Sequence, residues 1–376
     1  MRCGDYETQA VESAVRRSID LLGGMAQFVQ PGQRVLVKPN LLRPSVPQQA
    51  VVTHPAVVRA VILLVQEVGA KVVVADNPAS PLLTERAWQH AYEQVGLAAV
   101  AAETGAELNT RIVPQQVPHP DGRLIKVVDV SSFLAEADLV INVPKLKTHG
   151  LMRFTGAVKN LFGIVPGLTK AGYHVKLQTV DHFADMLLDL VTYVHPTLSV
   201  MDAIVGMDGN GPGAGDPFPI GAVLAAPDPV ALDVAALSLV CQEPASVPTV
   251  AAAVRRGWTS GRVEDLVLLG DDLARLRVGG FRMPRGGERV MPNLPPFLRS
   301  LGARQMVASP FVTERCVGCQ LCVEACPAHT IALANGTAHI ELRDCIRCYC
   351  CHELCPSKAI ELRQPLVAGL LARLGF

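Results

Sequence analysis

The chain has 376 residues, 49% of them apolar, and its 34 Lys plus Arg equal its 34 Asp plus Glu. A net charge of zero gives no electrostatic footprint for nucleic acid, and no run reaches the roughly 18 apolar residues of a transmembrane helix. The length exceeds one small core and calls for roughly two to three domains.

The opening stretch, residues 1–20, carries acidic residues and lacks the apolar core of a secretory signal, which implies a cytoplasmic, reducing location. From residue 34 onward short β-branched runs alternate with helical patterns. This predicts an α/β domain over residues 1–278, with a largely parallel sheet and helices on both faces. The strand Arg34–Lys38, a helix from Pro55 to Val68 stopped by Gly69, and the strand Lys71–Ala75 read as a βαβ crossover. Further short apolar strands, each covered on both faces, are predicted at Leu139–Val143, Thr197–Met201 and Ala222–Ala225. Helices are predicted at Leu177–Val194 and Pro229–Val240. The first has an apolar stripe and, along another face, Asp181, Asp185 and Asp189, which read as a solvated face or, failing that, a cation site.

Polar residues cluster where these strands end, the place where open parallel sheets bind ligands. Lys38 and Asn40 follow the first strand, with Thr53 and His54 at the start of the next helix. A lysine facing a helix N-terminus makes an anion site; a surface lysine beside a turn-forming asparagine makes none. The stretches Asn142–Gly150 and Thr155–Gly163 are denser in chemistry. They hold Lys145, Lys147, His149, Lys159 and Asn160, and a helix over Arg153–Leu161 would set Lys159 and Asn160 on one face with Gly156. Converging lysines repel unless an anion lies between them, and crowded cations disfavour the ammonium form, the usual route to a lysine base. A plain basic surface would account for the lysines but not for the flanking Asn142 and His149. The third group, Met201–Pro217, has five glycines in ten residues but is neither GxGxxG nor a Walker loop. Asp202 and Asn210 are its candidate ligand-binding residues, with Asp233 on the later helix a weaker one.

Prolines and glycines over residues 279–311 read as a connector into a C-terminal domain, residues 312–376, whose last part, Pro365–Phe376, reads as a short amphipathic helix. That domain contains two CxxCxxCxxxCP runs. In this pattern three cysteines of a run bind one 4Fe-4S cluster and the fourth binds the other. Cys316, Cys319, Cys322 and Cys355 are therefore assigned to one cluster, and Cys345, Cys348, Cys351 and Cys326 to the other. Zinc sites rarely need the duplicated third and fourth cysteines, and disulfide frameworks belong to small secreted domains. Cys3 and Cys241 are unassigned, and Cys350 is a spare ligand, a reactive thiol or a small buried side chain.

Val35–Asn40, Thr53-His54-Pro55, Asn142–His149, Val158–Gly163 and Asp208–Pro212 resemble the signature of the domain of unknown function 362 family. Members of that family often carry a bacterial-type double 4Fe-4S ferredoxin module, which the cysteine runs resemble. The resemblance implies an iron-sulfur protein with a small α+β ferredoxin-like dicluster domain, and supplies no substrate. The leading expectation is an iron-sulfur oxidoreductase whose clusters exchange electrons with an anionic substrate or cofactor. Lys145, Lys147 and Lys159 would act as clamp or proton donor and His149 as proton relay. A flavin is compatible, though no motif demands one, and a ferredoxin or reductase is the expected redox partner. Two alternatives stand beside this: a non-catalytic electron carrier or cluster-delivery protein, and non-redox chemistry with structural clusters.

Overall fold

A computed structural model describes residues 1–78, 84–177, 179–284 and 308–363. Its central element is an eight-stranded sheet. In chain order the strands of the α/β domain are β1 (Arg34–Pro39), β2 (Lys71–Val74), β3 (Glu107–Leu108), the separate hairpin β4 (Pro114–Pro118) and β5 (Val127–Ser131), β6 (Leu139–Val143), β7 (Lys145–His149), β8 (Arg153–Thr155), β9 (Leu198–Asp208) and β10 (Asp216–Ala226). Across the sheet the order is β3-β2-β1-β6-β9-β7-β8, with β10 also pairing β9. Pairs β1–β2, β1–β6, β2–β3, β6–β9 and β7–β9 are parallel, so the sheet is largely parallel as its sequence pattern predicts.

Side-chain alternation explains why helices cover both faces. Val35, Val37, Val72, Val74, Ile141 and Val143 enter one core, with the helices Thr8–Asp20 and Pro55–Glu67. Leu36, Val73 and Val140 enter the opposite one, under the helix Val180–Val194. The chain leaves β1 toward β2 and β3 and returns to β6 on the other side, which makes the ends of β1 and β6 the topological switch point.

Several local expectations change. The segment after β6 is a further strand, β7, and Arg153–Thr155 of the expected helix is a strand, leaving only Ala157–Asn160 α-helical. The Gly-rich group is the turn between two long strands, and Ala222–Ala225 lies in β10, antiparallel to β9. The acidic row is not one solvated face: Asp181 stays half-buried, while Asp185 and Asp189 pair with arginine. Asp189 is buried, accepts hydrogen bonds from the backbone N–H groups of Arg123, Leu124 and Ile125, and pairs with Arg256 at 2.8 Å, while Asp185 pairs with Arg256 at 2.9 Å.

The expected connector begins on the α/β domain: Phe281 is buried and Arg282 pairs with Asp208 and Asp216. The remainder of the connector and the predicted tail helix fall outside the described residues. The C-terminal module has β11 (Ser309–Val312), β12 (Ile331–Ala334), β13 (Thr337–Ile340) and β14 (Ile360–Arg363), paired as β11–β14 and β12–β13. It packs on the turn between β9 and β10. The His352 ring lies 3.0 Å from the Asn210 carbonyl, and the Lys358 amine donates to the Gly215 carbonyl at 2.9 Å.

Candidate functional site

The two cysteine runs follow one backbone path twice. Positive φ falls at Gly318 and Gln320 in the first and at Arg347 and Tyr349 in the second, at matching offsets from Cys316 and Cys345. These turns point successive thiols inward. Cys316, Cys319, Cys322 and Cys355 border one small cavity; Cys326, Cys345, Cys348 and Cys351 border another, together with Cys350. Backbone N–H groups of Ala338, Thr330, Arg347 and Ala359 donate to the sulfurs of Cys316, Cys326, Cys345 and Cys355 at 3.1–3.4 Å. Among the described residues no three His, Cys, Asp or Glu side chains form a site for a single ion. Thiols that ring a void instead of meeting at a point fit a polynuclear cluster, whose irons spread the sulfur ligands apart.

A cavity of about 350 Å³ lies at the switch point, between the sheet and the C-terminal module. From the sheet side come Asn40, Asp76, Lys147, His149, Thr155, Lys159, Asn160, Lys170 and His174; from the module come Cys326, His329, Cys350, Glu353 and Leu354. Strand period places Lys145, Lys147 and His149 on one face of β7. Only the latter two reach the cavity.

Some of these groups are held by neighbours and others are not. The Lys147 amine donates to the Val51 carbonyl at 2.7 Å, and Lys170 donates to the carbonyl of Asn77. His149 Nδ1 accepts from the backbone N–H groups of Leu151 and Met152, so its proton sits on Nε2, 3.1 Å from Glu353 Oε1. That pair is close but off the line of a hydrogen bond, and both atoms remain unpartnered. The Thr155 hydroxyl and Asn40 Oδ1 are likewise buried without a partner. Buried polar atoms are rarely left so, and the lining thus holds spare donors and acceptors for a polar ligand. An amide chain fixes the floor: Asn40 donates to Asn160, Asn160 to Asn142, and Asn142 to the Ala157 carbonyl, at 2.8–3.0 Å.

Burial controls the charges. It pushes the Lys147 ammonium well below its ordinary range, with Lys159 adding repulsion, and it lowers Lys159 and takes Lys170 down to about 7. It keeps His149 and His174 neutral, His174 at about 3, and raises Glu353 against the pull of Lys159, Lys147 and Lys170. The pocket therefore offers amines that gain a proton when an anion arrives.

Other sequence candidates lie outside this cavity. Lys145 pairs with Asp202 at 2.8 Å and donates to the Tyr6 hydroxyl at 2.8 Å. His54 stacks on Tyr6 with ring centroids 3.6 Å apart, and its backbone N–H donates to Asp202. Lys38 pairs with Asp76 at 2.7 Å behind the lining. Asp233 accepts from the N–H groups of Ala157 and Val158 and so seats the turn that carries Lys159 and Asn160. Asn210 contributes its carbonyl to His352 of the module. Sequence reasoning missed Lys170, His174 and Glu353. The first two sit at i and i+4 of the helix Gly167–Lys176, a spacing that could have linked them.

The model of the family described as domain of unknown function (DUF362) matches residues 35–238, and that of a 4Fe-4S dicluster domain matches residues 311–356. A thylakoid-associated protein, sll1697, of Synechocystis sp. is 36% identical over 307 residues, covering 80% of this chain and 91% of that protein. Among solved structures, the lactate racemase apoprotein of Thermoanaerobacterium thermosaccharolyticum is similar at a TM-score of 0.37 and 13% identity, covering 57% of this chain and 52% of that one. A structural genomics target from Thermotoga maritima is similar at a TM-score of 0.34 and 10% identity, covering 55% and 52%. No helix among the described residues is long and apolar enough to cross a membrane.

Proposed function

The chain belongs to the domain of unknown function 362 family and ends in a 4Fe-4S dicluster domain, and from that premise we propose that it is an iron-sulfur oxidoreductase acting on a small anion. One cubane is held by Cys316, Cys319, Cys322 and Cys355, and the other by Cys345, Cys348, Cys351 and Cys326. The clusters supply single electrons. The observation that carries this reading is the shared wall: Cys326 and Cys350 border the same cavity as Lys147, Lys159 and Lys170. The residues that would hold the second cluster thus border the ligand cavity, while the loop that would hold the first is exposed at Cys319 and at Val317, which is 69% exposed. A ferredoxin or reductase would meet the chain at that outer edge.

Within the cavity Lys147 and Lys159 bind and orient the anion, and Lys170 and His149 hold protons for it. Phe162, 5.6 Å and 5.9 Å from the amines of Lys159 and Lys170, keeps their surroundings apolar. Neither Lys145 nor His54 has a role in this reading beyond bracing β7 and the helix after β1. A reducing, cytoplasmic setting suits cluster thiolates. Association with thylakoids is named for the Synechocystis relative, and fractionation of native cells decides whether this chain shares it.

The test is anaerobic. Purified protein should contain about eight irons, since each cubane holds four. Reduced protein is mixed with small-molecule fractions of a cell extract, and the fraction that reoxidises the clusters is followed by electron paramagnetic resonance. In Lys147→Gln and Lys159→Gln the reoxidation should slow by at least about tenfold with iron unchanged. Reoxidation at the original rate in both variants would leave the carrier function in its place.

A further inference from the structure

We propose that Arg43 is the buried counter-charge of the cluster held through Cys355, so that a residue of the α/β domain sets the reduction potential of a cluster in the C-terminal module. The inference rests on the cysteine assignment above and goes beyond it.

Arg43 follows β1 and is 6% exposed. Its guanidinium keeps its proton in any protein environment. It donates to the Ser45 hydroxyl at 3.1 Å and to the Gly213 carbonyl at 3.0 Å, both neutral, and its Nε has no partner. Among the described residues no carboxylate forms an ion pair with it, and the charge of Arg43 adds to the burial that pushes the Lys147 ammonium down. A buried cation without an anion is strongly unfavourable, so its compensation must come from another source. The part of the C-terminal module packed against it is the loop that leads into Cys355, since Arg43 donates to the Gly213 carbonyl and Gly213 abuts the backbone carbonyl of Glu353.

Gly213 explains how the two approach. A Cβ at that position would lie 3.5 Å from Arg43 Nε and would overlap the backbone carbonyl of Glu353, two residues before Cys355. The residue between the guanidinium and the cluster loop therefore has no side chain. A 4Fe-4S cluster with four thiolates is an anion that gains a further negative charge on reduction, and a cation fixed beside it favours the reduced form. Because Arg43 comes from the other domain, this effect exists only while the module is docked.

The experiment is a redox titration of the full-length, anaerobically loaded protein, followed by electron paramagnetic resonance, for the native chain, Arg43→Met and Arg43→Lys. With iron content unchanged, Arg43→Met should lower the midpoint of one cluster alone. The expected size is about a tenfold fall in its reduced-to-oxidised ratio at fixed potential, about 59 mV for one electron. Arg43→Lys should retain most of the native midpoint. Iron lost from Arg43→Met but kept by Arg43→Lys also supports a charge role. Unchanged midpoints in a fully loaded Arg43→Met, an equal shift of both clusters, or iron lost from both variants would overturn the proposal. A native protein without cubane signals would instead overturn the cysteine assignment on which it rests.

Discussion

Lys170 is the cavity amine with the most direct pH consequence. Burial holds its ammonium down at about 7, with Lys38 and Lys159 pushing the same way against Asp76 and Glu353. An anion favours the protonated amine, so affinity should be highest below that value and fall as pH rises through it. Calorimetry with inorganic phosphate should show proton uptake on binding and about tenfold weaker affinity for each unit of pH above 7. Lys170→Gln should flatten that dependence; a profile unchanged by the substitution would remove Lys170 from the site. Gly156 makes a different kind of prediction. A Cβ there would overlap the Asp233 carboxylate that caps the Lys159 turn, so Gly156→Ala should destabilise the protein by about 1–3 kcal/mol in chemical denaturation. At this scale the sequence revealed Lys147, His149, Lys159, Asn40 and Asn160, because each lies within a few residues of a readable strand end. Glu353 stayed hidden since it arrives from another domain, and nothing local marks it.

The strand β7 shows why some elements escaped. Lys145-Leu146-Lys147-Thr148-His149 is buried on both faces, and one of those faces carries Lys145, Lys147 and His149, residue types that are ordinarily exposed. Charge in a segment ordinarily signals solvent, so the stretch gave no strand signal beyond Val143. The helix Val180–Val194 misled in the same way: its apolar stripe was legible, whereas Asp189 is a buried acceptor whose partners lie far along the chain. Removing it would strand three backbone N–H groups and take from Arg256 one of its two carboxylate partners. Asp189→Ala should therefore cost about 3–5 kcal/mol, measured by urea unfolding, with the hairpin β4–β5 loosening first. A loss below about 1 kcal/mol would class the contact with ordinary surface pairs.

Across the whole molecule, both domains were legible and their docking was not. Cysteine spacing and alternating strands each have a local signature; the contact between His352 and the Asn210 carbonyl, or Lys358 and Gly215, has none. Clusters bound by the two cysteine sets would shape the loops that make those contacts, so their loss should propagate into the α/β domain. Anaerobic removal of iron should raise amide hydrogen exchange in residues 40–45 and 209–215 while leaving β1 and β2 protected. Equal protection before and after would mean that the module docks regardless of its metal.

The module forms one wall of the cavity and turns its other cysteine set outward. On the proposed function, ligand and protein donor would approach from separate sides, and neither need leave for the other to bind. Steady-state kinetics with both varied should give intersecting lines of a ternary complex, without mutual competition. The chain would then behave less like an enzyme awaiting a diffusing reductant than like a relay with its last contact permanently soldered in place.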